Sequence, residues 1–142
     1  MTIARIIEGR DQQIITCTAK NSVQEAAQKL AEKRIGALPV MDGDNIAGIF
    51  SERDLLYCIA RDGAAVLDRP VGDVMTAPAI TIEAESAALD ALSLMTRRRI
   101  RHLPVVDNGK LVAFVSIGDI VKYRIEQVEA EAEHMRDYIT MS

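Results

Sequence analysis

Apolar residues recur along this chain in two rhythms, one helical and one extended, and the same succession of rhythms is written twice. Val23, Ala26, Ala27 and Leu30 stand at i, i+3, i+4 and i+7, and Ala88, Ala91, Leu92 and Met95 repeat that spacing. Each set predicts a helix with one apolar face. Ser22 and Ser86 are the candidate N-caps, because a Ser hydroxyl accepts from an otherwise unpaired helical N–H. Before each helix a short β-prone run, Ile14 to Thr18 and Ala79 to Glu83, predicts a strand. After each helix, Leu38 to Met41 and Leu103 to Val106 are continuous apolar runs of buried-strand length. Asp42-Gly-Asp-Asn45 and Asp107-Asn-Gly109 supply hairpin turns, since Gly, Asn and Asp tolerate the positive φ such turns require. Ile46 to Phe50 and Leu111 to Val115 return as third strands, and a second helix begins at Ser51 in one copy and Ser116 in the other.

The two copies match at a fixed offset of 65 residues, which carries Thr16 to Thr81, Ala26 to Ala91, Pro39 to Pro104, Ser51 to Ser116 and Asp54 to Asp119. So many matches in one register define an internal repeat. The organisation expected is a first repeat over 10–65, a linker over 66–78 punctuated by Pro70, Gly72 and Pro78, a second repeat over 79–124, and a helical extension over 125–142. In that extension Ile125, Val128, Ala132, Met135 and Ile139 fall on one side, and Glu126, Glu129, Glu131 and Glu133 occupy the rest. A helix this long on so small a protein predicts a packing partner, and a homodimer supplies one.

Composition narrows the function. Of 142 residues, 49% are hydrophobic and 27% charged, enough apolar material for a folded core, and with two Phe, three Tyr and no Trp that core is aliphatic. A net charge of −4 argues against a general nucleic-acid binder, which needs a basic surface. Cys17 and Cys58 fit neither a disulfide framework nor a metal-ligand spacing and read as buried apolar fillers in a reducing compartment. No apolar run approaches the roughly 20 residues of a membrane helix. The first ten residues mix acidic and basic side chains where a signal peptide would be apolar, so the expected location is the cytoplasm. There is no Gly-rich phosphate loop, no His-rich metal pattern and no evident nucleophile–base pair, so no enzyme is expected.

The chemistry concentrates in two segments, Gly48-Ile-Phe-Ser-Glu-Arg-Asp54 and Ala113-Phe-Val-Ser-Ile-Gly-Asp119. Each sets a Ser at a strand-to-helix junction with an Asp three residues on, close to a capping box. A fresh helix N-terminus is also an anion site, and an ionised Asp offers two acceptor oxygens to a ribose diol. One residue can do both. The basic run Arg97-Arg-Arg-Ile-Arg-His102 precedes the second Leu-Pro-Val strand. Arg97 and Arg98 read as solvated, whereas Arg101 and His102 adjoin a buried strand, where a guanidinium suits a phosphate. His134, on the tail, reads as solvated.

These motifs in duplicate, Thr-x-x-x-x-x-Val-x-x-Ala, Leu-Pro-Val-x-Asp and Gly-x-x-Ser-x-x-Asp, resemble a tandem pair of CBS domains over about residues 10 to 124. A short chain with Ser-Glu-Arg-Asp in its first copy is similar to the small bacterial CBS-pair proteins. The resemblance implies an α/β (α+β) fold of two β-α-β-β-α repeats packed about a pseudo-twofold axis, with a long C-terminal helix. It also implies a non-enzymatic regulatory module that binds adenosine-containing nucleotides in two clefts and signals to an effector protein. AMP is the first ligand it suggests, with ADP, ATP, NAD or S-adenosylmethionine as alternatives and no cofactor required. The family's crossed pattern assigns Ser51, Arg53 and Asp54 with Ile80, Arg101 and His102 to one cleft. It assigns Ser116, Gly118 and Asp119 with Ile15, Gly36 and Ala37 to the other. Gly36 stands where its counterpart is Arg101, so that second cleft is expected to lack a phosphate-binding side chain there, and the two should differ in strength. A ligand-free assembly module, with the Ser-Asp pairs serving only as caps, is the other reading the residues allow.

Overall fold

A computed structural model describes residues 1–9 and 13–141. The expected start of the first repeat, at 10, and the last residue of the extension, at 142, lie outside the described residues. A short helix α1 (Ile3–Ile7) leads. The first repeat follows as β1 (Cys17–Thr18), α2 (Val23–Lys33), β2 (Ala37–Asp42), β3 (Asn45–Ser51) and α3 (Glu52–Asp62). The second is β4 (Ile82–Glu83), α4 (Ala88–Arg98), β5 (His102–Asp107), β6 (Lys110–Ser116) and α5 (Ile117–Met141). Each repeat makes a three-stranded sheet with its first strand parallel to the second and the second antiparallel to the third. The registers repeat as faithfully as the sequence. Pro39 faces Ile49, Pro104 faces Phe114, and both hairpins shift register just after that point, at Val40/Met41 and Val105/Val106. Each Pro stands one residue ahead of the first position its parallel neighbour pairs, so its missing N–H removes no bond there.

Two apolar cores result, one per repeat. Val23, Ala26 and Leu30 bury the predicted face of α2 against Leu38, Val40 and Phe50, and Ala88, Ala91 and Met95 do the same against Leu103, Val105 and Val115. Cys17 and Cys58 are buried in the first core and unpaired. α3 ends at Gly63, whose φ of 79° is glycine's own region, while the equivalent position in the second repeat is Val128 and α5 runs on for 25 residues.

The first strands are shorter than predicted. Ile14 to Thr16 and Ala79 to Thr81 approach without ladder bonds, and only Cys17–Thr18 and Ile82–Glu83 pair. Ser22 caps α2 by accepting from the Glu25 N–H at 3.1 Å. Ser86 does not cap α4: the N-cap is Ala87, whose methyl group cannot accept a hydrogen bond, and the 65-residue offset aligns Ser22 with Ala87.

The larger difference concerns the segments that precede each repeat. Val66 and Val71 of the linker are buried in the first core. The Val71 N–H donates to Asn21 O (2.8 Å), Val23 N–H to Arg69 O (2.9 Å) and Gly72 N–H to Ala19 O (3.0 Å). At the chain's start, Ile3 N–H donates to Ser86 O (2.9 Å), Ala88 N–H to Met1 O (3.0 Å) and Ala4 N–H to Ala84 O (2.7 Å). These are the same three bonds displaced by one repeat. The segment leading into each repeat therefore closes the core of the other, and Ile3 and Ile6 lie buried in the second core.

Candidate functional site

At the start of α3, Ser51 Oγ accepts from the Asp54 N–H (3.2 Å) while Asp54 Oδ2 accepts from the Ser51 N–H (3.0 Å) and hydroxyl (3.1 Å). α5 repeats the arrangement, with Asp119 N–H to Ser116 Oγ at 3.1 Å and Ser116 N–H to Asp119 Oδ2 at 2.8 Å. Both pairs are capping boxes, and both Asp residues stay half-buried rather than sealed. The backbone then fixes what stands beside them. Glu52 N–H donates to Gly36 O (3.0 Å) and Ile117 N–H to Arg101 O (2.9 Å), so each helix start is bonded to the residue three before the Leu-Pro proline of its own repeat.

On the Asp119 side a cavity of about 370 Å³ opens. Ile15, Gly36 and Ala37 from the first repeat and Ser116 and Asp119 from the second line it, so five of the six residues assigned to this cleft converge. Gly118 does not reach its wall. The remaining lining includes Ile14, Ile35, Arg34, His102 and Phe114. Arg34 holds the left-handed C-cap of α2 at φ 52° and brings a guanidinium to the cleft that Gly36 leaves without one. Its counterpart at the fixed offset, Arg99, takes the same cap at φ 54°, and that match is the signal by which the sequence could have revealed it.

His102 is the second difference. The crossed pattern assigns it to the Asp54 cleft, whereas its ring stands in the wall of the Asp119 cleft. There it stacks on Phe114 with centroids 5.4 Å apart and planes 11° from parallel. A Cβ on Gly36 would meet its Cε1 at 3.3 Å and the tip of the Glu52 side chain, Oε1, at 2.7 Å, so a larger residue there would require both side chains to shift. Burial lowers the His102 pKa below its ordinary value. The Asp119 and Glu52 carboxylates oppose that shift, and the Arg101 guanidinium adds to it.

On the Asp54 side, Arg53 Nη1 donates to Arg99 O at 3.1 Å, tying α3 to the turn of the other repeat just ahead of Arg101. Arg101 is exposed, and Ile80 packs against the second core. Thr76, which no motif marked, donates its hydroxyl to Asp54 Oδ1 at 2.9 Å and exchanges both backbone bonds with Ile49 at 2.9 Å. The bridge explains Gly48: a Cβ there would meet Thr76 O at 2.6 Å.

The Asp119 cavity thus combines aliphatic and aromatic walls for a flat ring, a carboxylate–hydroxyl pair for a diol, and a cation for an anion. Among the described residues no group of three His, Cys, Asp or Glu side chains is placed to hold a metal, and no helix is long and apolar enough to cross a membrane.

A family model for the CBS domain matches residues 10–61 and 71–126. The chain is 35% identical over 128 residues to the mitochondrial CBS domain-containing protein CBSX3 of Arabidopsis thaliana, covering 87% of this chain and 62% of that protein. A second Arabidopsis relative, CBSCBSPB1, is spanned over only 22% of its length, so the chain matches a part of longer relatives. Among solved structures, a protein with CBS domains from Burkholderia ambifaria is 40% identical with a TM-score of 0.83, over 89% of this chain and 95% of that one. The structure of CBSX2 in complex with AMP is 28% identical with a TM-score of 0.75, over 88% and 96%.

Proposed function

The chain belongs to the CBS-domain family, and on that premise we propose that it is a non-enzymatic regulatory module binding adenosine-containing nucleotides between its repeats, AMP foremost. The observation that carries this is the 370 Å³ cavity in which residues of both repeats meet, Ile15, Gly36 and Ala37 against Ser116 and Asp119. In this reading the adenine lies along Ile15 and the backbone of Gly36 and Ala37, the ribose diol donates to Asp119, and Arg34 faces the phosphate. The second site uses Ser51, Arg53, Asp54, Ile80 and Arg101. The similar CBSX2 structure, an AMP complex, supports the ligand class. ADP, ATP and NAD present the same adenosine. A cleft shared by two repeats responds to ligand through their relative pose, provided the ligand binds one pose better, and an effector protein would read the result.

A ligand-free assembly module is favoured by one fact, that both Ser-Asp pairs already serve as caps. Calorimetry separates the two readings. Asp119→Ala and Asp54→Ala should each weaken binding of AMP by about 1.5–3 kcal/mol, the range for a charge-assisted hydrogen bond. A double variant that binds every adenine nucleotide with wild-type affinity rules out the cleft model, and a wild type that binds none favours assembly.

A further inference from the structure

His102 is one of two histidines in the chain, and imidazole is the side chain whose ordinary titration falls nearest neutrality. His134 lies exposed on α5, whereas the His102 ring stands half-buried in the wall of the Asp119 cavity. Charged groups face that ring from both repeats. Glu52, in the first turn of α3, and Arg34, at the C-cap of α2, come from the first repeat. Asp119, in the first turn of α5, and Arg101, just ahead of β5, come from the second, while β6 contributes the uncharged Phe114. A proton on His102 therefore changes the field on both sides of the cleft.

The neutral ring suits the place it occupies. It lies 11° from the plane of Phe114 with centroids 5.4 Å apart, and its Cε1 stands 3.3 Å from the Cβ position of Gly36. That makes an aromatic wall against which a flat ligand ring can pack. A protonated ring makes a poorer wall, for two reasons. An imidazolium costs more to strip of water than an imidazole, so covering it with an apolar ligand face is opposed. It also attracts the Asp119 carboxylate, and a carboxylate drawn to a cation is a weaker acceptor for a neutral ribose hydroxyl. Both effects act in one direction on an uncharged nucleoside. Burial already lowers the His102 pKa before any ligand arrives, against the pull of Asp119 and Glu52 and with the help of Arg101, and a ligand that covers the ring extends that burial. At the fixed offset His102 corresponds to Ala37, Phe114 to Ile49 and Glu52 to Ile117, so the arrangement occurs once in the molecule.

We propose that His102 couples the Asp119 cleft to pH: the neutral ring admits the nucleoside, and protonation of the ring in acid releases it. This rests on the adenosine reading above for its ligand, and on the packing of His102 against Phe114 and Gly36 beside Asp119 for its response to protons.

Adenosine is the probe, because it has no phosphate and stays uncharged across the range in which imidazole titrates. Calorimetry on the full chain should show its affinity falling at least about threefold from roughly pH 7.5 to 5.5, with a much flatter profile in H102Q. The pH-sensitive part of the binding should vanish in D119A, which removes the acceptor of that cleft. By linkage, saturation with adenosine should move the midpoint of the His102 Cε1–H resonance to lower pH, with the exposed His134 resonance as the control. In the ligand-free chain E52Q should lower the same midpoint, because the Glu52 carboxylate favours the charged ring. A wild-type slope in H102Q, or a His102 midpoint that adenosine leaves in place or raises, overturns the coupling and leaves the adenosine reading standing. A chain that binds adenosine at no pH sinks both. The wild-type titration decides the matter even where H102Q fails to fold.

Discussion

A histidine ring stacked on Phe114 and pressed against Gly36 loses water on two faces, and that loss outweighs the two carboxylates that favour its charged form. The consequence is a definite sign for stability. His102 titrates lower in the folded chain than at its ordinary value of about 6.5, so below that pH the unfolded state binds the extra proton first. Its contribution to stability is complete above about pH 6.5 and is lost as the pH falls through that value toward the lower folded one. Urea midpoints measured at pH 7.5 and 5.5 should therefore fall further for the wild type than for His102→Gln. Equal losses would mean the ring is freely hydrated. Gly36 lies close beneath this ring, with its Cβ position 3.3 Å from His102 Cε1, so the glycine that leaves the cleft without an arginine also gives the histidine room.

At the scale of elements, helix α1 is a five-residue segment, too short to be stable alone, yet Ile3 and Ile6 are buried. It persists because it occupies on the second repeat the place that Val71 and its neighbours occupy on the first. Ile3→Ala should cost about 2–4 kcal/mol, since a buried Ile truncated to Ala loses transfer energy and leaves a cavity. Exchange of the β5 and β6 amides should rise with the loss of stability. A change below 1 kcal/mol by chemical denaturation would mean that the lead segment only rests on the surface. The sequence makes the β-α-β-β-α unit legible because its rhythms are long: four apolar positions at helical spacing, then two strands separated by turn residues. It does not make the leads legible, because Ile3, Ile6 and Ile7 span little more than one turn and match Val71, Val74 and Met75 at 68 residues rather than 65. The site divides the same way. The Ser-Asp junctions and the residues before Leu-Pro are local in sequence and legible there. Arg34, Phe114 and Thr76 enter only through the fold: Arg34 by a left-handed cap, Phe114 by register opposite Pro104, and Thr76 by a bridge to Ile49. The direction of the His102 ring is likewise set by which neighbour it stacks on.

For the whole molecule, the exposed apolar face of α5 is the feature that bears on assembly. Only Ile120 is buried along its length, so the helix beyond the first turns gains little from its own repeat. Val121, Ile125, Val128, Ala132, Met135 and Ile139 follow one another at alternating intervals of four and three, the period of a two-helix seam rather than of a helix lying on a globular core. Along that seam Ile125 is 53% exposed, Met135 62% and Ile139 65%. An apolar strip of this kind on a small domain marks an interaction surface. The acidic residues Glu126, Glu129, Glu131 and Glu133 lie off the seam and discourage further stacking. A second copy of this chain offers the matching strip, and we expect a dimer that uses it. Light scattering at roughly tens of micromolar should then give twice the 15.6 kDa chain mass. Ile125→Glu combined with Val128→Glu would place two carboxylates on the seam of each copy and should return the mass to that of a single chain with the two repeat cores intact by circular dichroism. A wild type that scatters as a monomer at those concentrations refutes the dimer, and a double variant that remains dimeric moves the interface off α5.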